Sequence, residues 1–204
     1  MLSLRSEEIC FTHSDSFCVS FVKMIGPTDI VGHSQITNSY KARKYYSIFF
    51  NTTASIAKGF DAKIIKNVGD GLVCYFPKTS NIYDDTAFGD VIGFGVTTMA
   101  AHHNINTIIR EEKLPTTINY RISVDYGKVE VAETVASHGA EDLFGSPMNL
   151  CAKINAKASI NGLVIGHNLY QILKRLFSDL LPFNYGKYYD IVQTGEYFLE
   201  KKTN

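Results

Sequence analysis

The chain has 204 residues, of which 45% are apolar, and this length and composition predict one globular domain with a substantial core. Twenty Lys and Arg balance twenty Asp and Glu, so the formal net charge is zero, which argues against a nucleic-acid-binding surface. No stretch approaches the ~18 consecutive apolar residues of a membrane span, and the N-terminal residues are unlike a signal peptide. We therefore expect a cytoplasmic protein without nucleic-acid or membrane contacts in this chain.

Hydrophobic periodicity and turn residues predict alternating strands and helices. In chain order these are a strand at 17–25, a helix at about 35–58, a hairpin at 63–76, a helix at about 87–114, a hairpin at 118–134 turning at Tyr126-Gly127, a loop at 138–145, a helix from Ser146 to about 158 with Ser146 as N-cap, a strand at 163–165, a helix at 168–177 and a last β segment at 188–198. The order βαββαββαβαβ predicts an α+β fold, with a ferredoxin-like or split-βαβ sheet and helices packed mainly on one face.

Cysteine usage indicates a reducing compartment. The sequence has no Cys-x-x-Cys pair. Cys18 and Cys74 fall in predicted strands and Cys151 in a predicted helix, so we expect buried free thiols there.

Two sequence patterns predict residues that could bind a metal ion or a substrate. Gly69-Asp70-Gly71 lies between two β-prone runs, and an acid at a hairpin tip is well placed to hold a divalent cation, although it could serve only the turn. Asn149 and Lys153 are four residues apart on one predicted helix, so they project from one face. An Asn and a Lys placed in this way could contact a ribose and a phosphate. Alternatively, both side chains lie on a solvated helix face.

Five segments, in order, resemble motifs of the catalytic domain of class III adenylate and guanylate cyclases. They are Phe21-Val-Lys-Met-Ile-Gly-Pro-Thr28, Ile65-Lys-Asn-Val-Gly-Asp70, Tyr120-Arg-Ile-Ser-Val-Asp-Tyr-Gly127, the run from Glu141 to Ile154, and Asn161-Gly-Leu-Val-Ile165. The resemblance is strongest over 17–176 and implies a single nucleotidyl cyclase-like domain over 1–204, with the class III nucleotidyl cyclase fold.

The resemblance also implies a reaction, the conversion of ATP to cyclic AMP and pyrophosphate with two Mg²⁺ or Mn²⁺ ions. Asp70 would be a metal ligand, and Asn149 and Lys153 would act on the ribose and the α-phosphate. Lys66 and Asp142 would read the base, and a Lys donor with an Asp acceptor favours adenine over guanine.

The same resemblance implies that Gly26 and Thr28, in the turn after the first strand, would bind phosphate. Pro27 lies between them and has no N–H to offer a phosphate. Lys153 stands where the family has an Arg, which removes a planar, two-pronged donor. Lys187 lies in the region of a late phosphate-binding Lys, but the local pattern does not match.

The largest departure from the family is Lys23, which aligns with the first metal-binding Asp. An ammonium there would repel Mg²⁺ and could pair with Asp70 as a built-in counter-ion. A second register aligns Asp29 with that Asp. The strand-like run at 17–22 favours Lys23, since Asp29 follows Gly26-Pro27-Thr28, which cannot be a central strand.

Four functions therefore stay open. The chain is a class III cyclase-like domain with weakened or lost catalysis, or a working enzyme in which Asp29 or a bound water replaces the missing metal ligand. Alternatively it is a partner subunit, in a head-to-tail homodimer or heterodimer with a cyclase-like chain, that supplies Lys66, Asp142 and Asn149. The fourth function is a non-catalytic dimerisation or nucleotide-sensing module.

Overall fold

The computed structural model describes residues 9–25, 39–114, 116–134, 141–177, 189–193 and 197–201. The strands are β1 (Ile9–Ile25), β2 (Lys63–Val68), β3 (Gly71–Phe76), β4 (Asn119–Thr134), β5 (Glu141–Gly145), β6 (Leu163–Ile165), β7 (Tyr189–Gln193) and β8 (Tyr197–Lys201). The helices are α1 (Ser39–Gly59), α2 (Asp85–Glu111), α3 (Ser146–Asn155) and α4 (His167–Leu176), with a 3₁₀ turn at Pro77–Ser80. The order of elements confirms the predicted α+β fold.

The eight strands form one sheet in the order β2-β3-β1-β4-β6-β8-β7, with β5 paired to the far part of β4. β1 is antiparallel to both of its neighbours, β3 and β4, whereas β6 runs parallel to β4. The second half of β1 is therefore a central strand, with hydrogen-bonded partners on both sides.

The two faces of the sheet are covered unequally. Helices α1, α2 and α4 cover one face and form the larger core with side chains such as Phe49, Phe88 and Leu169. The opposite face carries a smaller core that includes Val19 and Leu143, and α3 packs beside it. The prediction that helices lie mainly on one face is confirmed.

The predicted hairpin at Tyr126-Gly127 is wrong, because β4 runs straight through both residues. Gly127 serves close packing instead of a turn: a Cβ there would lie 2.9 Å from Cγ of Pro147 in α3. The chain reverses after β4, and β5, which was predicted as loop, returns antiparallel to it.

Other element boundaries differ by smaller amounts. β1 begins at Ile9 instead of 17, and the last β segment consists of two strands, β7 and β8. Helix α2 begins at Asp85 because the Asp84 carboxylate accepts a 3.0 Å hydrogen bond from the N–H of Ala87. The N-cap of α3 is Gly145, one residue before the predicted Ser146. Residues 35–38, predicted as helix, lie outside the described residues.

The burial of three cysteines agrees with expectation. Cys18, Cys74 and Cys151 are buried free thiols, as predicted, while Cys10 is exposed. Burial raises the pKa of Cys74 to about 12. Across the described residues, no helix has the length and hydropathy needed to span a bilayer.

Candidate functional site

The tip of the β2–β3 hairpin lies against the end of β1. Gly69 and Asp70 form the turn, and Gly69 has φ +60°, a conformation that glycine adopts without strain. The N–H of Met24 donates a 3.0 Å hydrogen bond to the Asp70 carbonyl. Lys23 Nζ lies 3.9 Å from Asp70 Oδ1, and the two side chains are 47% and 20% exposed. These residues form a solvent-accessible ion pair where the sequence predicts a metal ligand.

Lys23 has a second cation beside it. Its direct partner across β1 and β4 is Arg121, and opposed residues on adjacent strands project from the same face. Arg121 is half-buried, and its buried Nε makes no hydrogen bond within the described part of the chain. Arg121 was not among the residues predicted for the site, because its pairing with Lys23 depends on a strand register that the sequence does not display.

These residues do not fit a site for two divalent cations. Mg²⁺ and Mn²⁺ prefer oxygen ligands, chiefly carboxylates and water. A dication beside Asp70 would instead meet the ammonium of Lys23 at close range, and Arg121, the cross-strand partner of Lys23, adds a second positive charge on the same face of the sheet. Among the residues that the structure describes, no group of three His, Cys, Asp or Glu side chains could hold a metal ion.

Helix α3 lies on the same face as Lys23. The Asn155 amide donates 3.2 Å hydrogen bonds to the carbonyls of Phe21 and Arg121, which fixes the C-terminal end of the helix on β1 and β4. At the middle of the helix, Cys151 Sγ donates a 3.1 Å hydrogen bond to the Val19 carbonyl. The helix position therefore depends on backbone carbonyls of the sheet.

Asn149 and Lys153 both lie on the exposed side of α3, as their spacing predicts. Beneath Asn149, between α3 and the sheet, is an open pocket of about 250 Å³ with a largely apolar lining. Its lining residues are Val19, Phe21, Val73, Met148, Asn149, Cys151 and Ala152. Asn149 thus sits at a concave surface, and Lys153 follows one turn further along the helix.

Asp142 lies on β5, opposite Ala132 of β4. It is half-buried, and its carboxylate accepts a 2.8 Å hydrogen bond from the N–H of Leu143. Leu143 packs into the smaller core, so strand alternation directs Asp142 to the other side of β5.

A polar cluster fastens β5 to the edge of the sheet, and we name it the clasp: Lys63 on β2, Tyr75 on β3 and Glu141 on β5. Lys63 Nζ and the Tyr75 hydroxyl each donate a 3.1 Å hydrogen bond to the Glu141 carboxylate. The clasp brings the strand of Asp142 against β2, where Lys66 pairs through its backbone with Val73.

Several predicted positions lie outside the described residues. They are Gly26, Pro27, Thr28, Asp29 and Lys187. The roles predicted for them, including Asp29 as an alternative metal ligand, stay predictions.

The chain matches a known protein family. The family described as the adenylate and guanylate cyclase catalytic domain matches residues 11–203, so this chain belongs to that family. A search of curated protein sequences gave no match.

Solved structures support the same fold. The adenylyl cyclase CyaB from P. aeruginosa is 14% identical, with a TM-score of 0.75 over 97% of this chain and 98% of that one. The guanylyl cyclase Cya2 is 16% identical, with a TM-score of 0.73 over 95% and 96%. A non-canonical dimeric guanylyl cyclase domain of a fusion protein from the aquatic fungus Blastocladiella emersonii is 16% identical, with a TM-score of 0.71 over 97% and 99%.

Proposed function

We propose that this chain is a class III nucleotidyl cyclase-like domain of cyclic-nucleotide signalling in which conversion of ATP to cyclic AMP is weakened or lost. The observation that carries the proposal is the ion pair between Lys23 and Asp70, 3.9 Å apart. Cyclisation needs cations that activate the ribose hydroxyl and neutralise the triphosphate. An ammonium beside Asp70 opposes the binding of such a cation. ATP is favoured over GTP by the donor and acceptor types of Lys66 and Asp142.

The test is cyclic AMP production from ATP with Mn²⁺, for the wild type and for Lys23→Asp. We expect a silent wild type and an active variant, because the substitution supplies a second carboxylate next to Asp70. Lys128→Asp is the control, since Lys128 is 72% exposed and lies far along β4, and it should stay silent. An active wild type that Lys23→Asp leaves unchanged and Asp70→Ala abolishes would overturn the proposal in favour of Asp29 as the metal ligand.

A second candidate function is that of a partner subunit. The observation that favours it is the position of Asn149, which is exposed at the rim of an open, largely apolar pocket on the side of α3 that no described element covers. In a head-to-tail dimer, one chain would supply metal-binding acids, and this chain would supply Asn149, Lys153, Lys66 and Asp142. The similar Blastocladiella domain is described as a non-canonical dimer.

Complementation tests this second candidate once Lys23→Asp has been found active. The double variant Lys23→Asp/Asn149→Ala has the acids but lacks the asparagine, and the wild type has the asparagine but lacks one acid. Each should be silent alone, and their mixture should produce cyclic AMP. Mixing the double variant with Asn149→Ala is the matched control and should stay silent. Silence of the first mixture would refute the two-chain arrangement.

A further inference from the structure

We infer that Lys23 and Arg121 bind the phosphate chain of a nucleoside triphosphate without a divalent cation. The inference rests on the proposed function for the class of ligand. It adds that the ammonium of Lys23 takes the place of a metal ion, so that the site is metal-independent.

Two cationic side chains are placed unfavourably close to each other in the absence of a ligand. Lys23 and Arg121 are directly opposed on β1 and β4, where side chains approach to roughly 5 Å between Cβ atoms and like charges are destabilising. The buried Nε of Arg121 also has no hydrogen-bond partner in the part of the chain that the structure describes, and such groups are uncommon. A bound polyanion would offset the repulsion and supply an acceptor.

The ion pair between Lys23 and Asp70 is loose. Its separation of 3.9 Å exceeds that of a charge-assisted hydrogen bond, whereas Lys44 and Glu112 approach to 3.0 Å. An ammonium has three donors, so Lys23 can turn toward phosphate oxygens at little cost in lost hydrogen bonding. Asp70 then acts as an internal competitor for the ligand.

A divalent cation should therefore hinder binding. Mg²⁺ coordinates the same phosphate oxygens that Lys23 and Arg121 would contact, and it lowers the negative charge of the nucleotide. Mg²⁺ also gains little from the protein, because the Asp70 carboxylate is already paired with Lys23. A metal-dependent site would instead bind the nucleotide more tightly in the presence of Mg²⁺.

The experiment is calorimetric titration of the purified chain with ATP, once in EDTA and once in excess Mg²⁺, with inorganic tripolyphosphate as a second probe. We expect binding in EDTA that weakens several-fold in Mg²⁺. Lys23→Gln should weaken binding in EDTA about tenfold or more, as loss of a charge-assisted hydrogen bond implies. Asp70→Asn should tighten it by freeing Lys23. Lys44→Gln, which removes a lysine from another ion pair, should change nothing.

Three results would overturn the inference: binding that requires Mg²⁺, binding that Lys23→Gln leaves unchanged, or weaker binding in Asp70→Asn. Absence of binding in both buffers would also overturn it. Thermal melts of each variant exclude unfolding as the cause, and Arg121→Gln provides a second, independent variant that should also weaken binding. The proposed loss of catalysis is decided separately, by cyclic AMP formation, so either idea can fail without the other.

Discussion

The hydroxyl of Tyr75 donates a 3.1 Å hydrogen bond to Glu141, which joins the third strand of the sheet to a strand that follows it by more than sixty residues. The Tyr75 side chain is otherwise buried, and Lys63 binds the same carboxylate from the neighbouring strand. Burial, and after it the Glu141 charge, raises the pKa of Tyr75. The clasp therefore closes β5 over the smaller core.

Glu141→Gln should lower the free energy of unfolding by about 1–2 kcal/mol, because the hydrogen bonds of Tyr75 and Lys63 lose their charged acceptor. Urea denaturation followed by circular dichroism measures the change. Glu112→Gln is the matched control: Glu112 follows the last residue of α2, its pair with Lys44 of α1 is partly exposed, and the pair should contribute less than about 0.5 kcal/mol. Equal effects of the two substitutions would contradict a structural role for the clasp.

Gly127→Ala should destabilise the fold by about 1–3 kcal/mol, as overpacking in a dense contact does. The added methyl group would lie 2.9 Å from Pro147, and a proline ring at the start of α3 cannot easily move aside. The comparison is Gly89→Ala in helix α2, where a Cβ meets nothing within 4 Å. That change should stabilise by up to about 1 kcal/mol, because alanine is the better helix former. Thermal unfolding of both variants gives opposite shifts if the packing is as described.

Asp125→Asn should make stability less dependent on pH. Burial raises the pKa of the Asp125 carboxyl, although the N–H groups of Tyr126 and Leu169 act in the opposite direction. The folded state thus favours the protonated acid, and the stability it contributes is present below the unfolded pKa of about 3.9 and lost as pH rises through the folded pKa.

The asparagine variant avoids that loss and can still accept the Leu169 N–H bond, which is 3.3 Å long in the wild type. Its melting temperature should therefore exceed that of the wild type at pH 7, with the difference shrinking toward pH 4. A constant difference across this range would show that the carboxyl does not titrate as its burial implies.

Thiol labelling should modify one cysteine of the native protein. Cys10 is exposed, while Cys18, Cys74 and Cys151 are buried, and burial raises the pKa of each of these three thiols. Because the thiolate is the reactive form, alkylation at pH 8 should stop at one equivalent and reach four after denaturation. Cys10→Ser should abolish the one equivalent of label that reacts with the native protein. Fast labelling that persists in this variant would indicate local opening of the core.

Much of the fold could be predicted because local patterns agree with it. The Asp-Gly hairpin, the two long helices and the short strand of Leu163–Ile165 follow from turn residues and hydrophobic spacing. The turn predicted at Tyr126-Gly127 was wrong for a physical reason. Glycine occurs both in turns and where two segments approach closely, and the contact of Gly127 with Pro147 involves a helix twenty residues away.

The candidate site, like the fold, could be predicted from the sequence only in part. The pairing of Lys23 with Asp70 could be anticipated, since both belong to motifs with a known relative placement in the family. Arg121 and the clasp could not, because both depend on which residue faces which across strands that are distant in sequence. A list of residue types does not contain that register.

The ladder between β1 and β4 has a consequence for folding kinetics. Ile25 pairs with Asn119 and Ile9 with Thr134, so the central contacts of the sheet join residues roughly a hundred positions apart. Loops of that length must close before β1 gains its main partner, and the chain emerging from a ribosome must wait until β4 has been synthesised. Refolding should therefore be slow for a domain of this size. Until β4 has been synthesised, β1 can pair only with β3, through Cys18–Lys23, and its other edge stays unpaired and prone to aggregation.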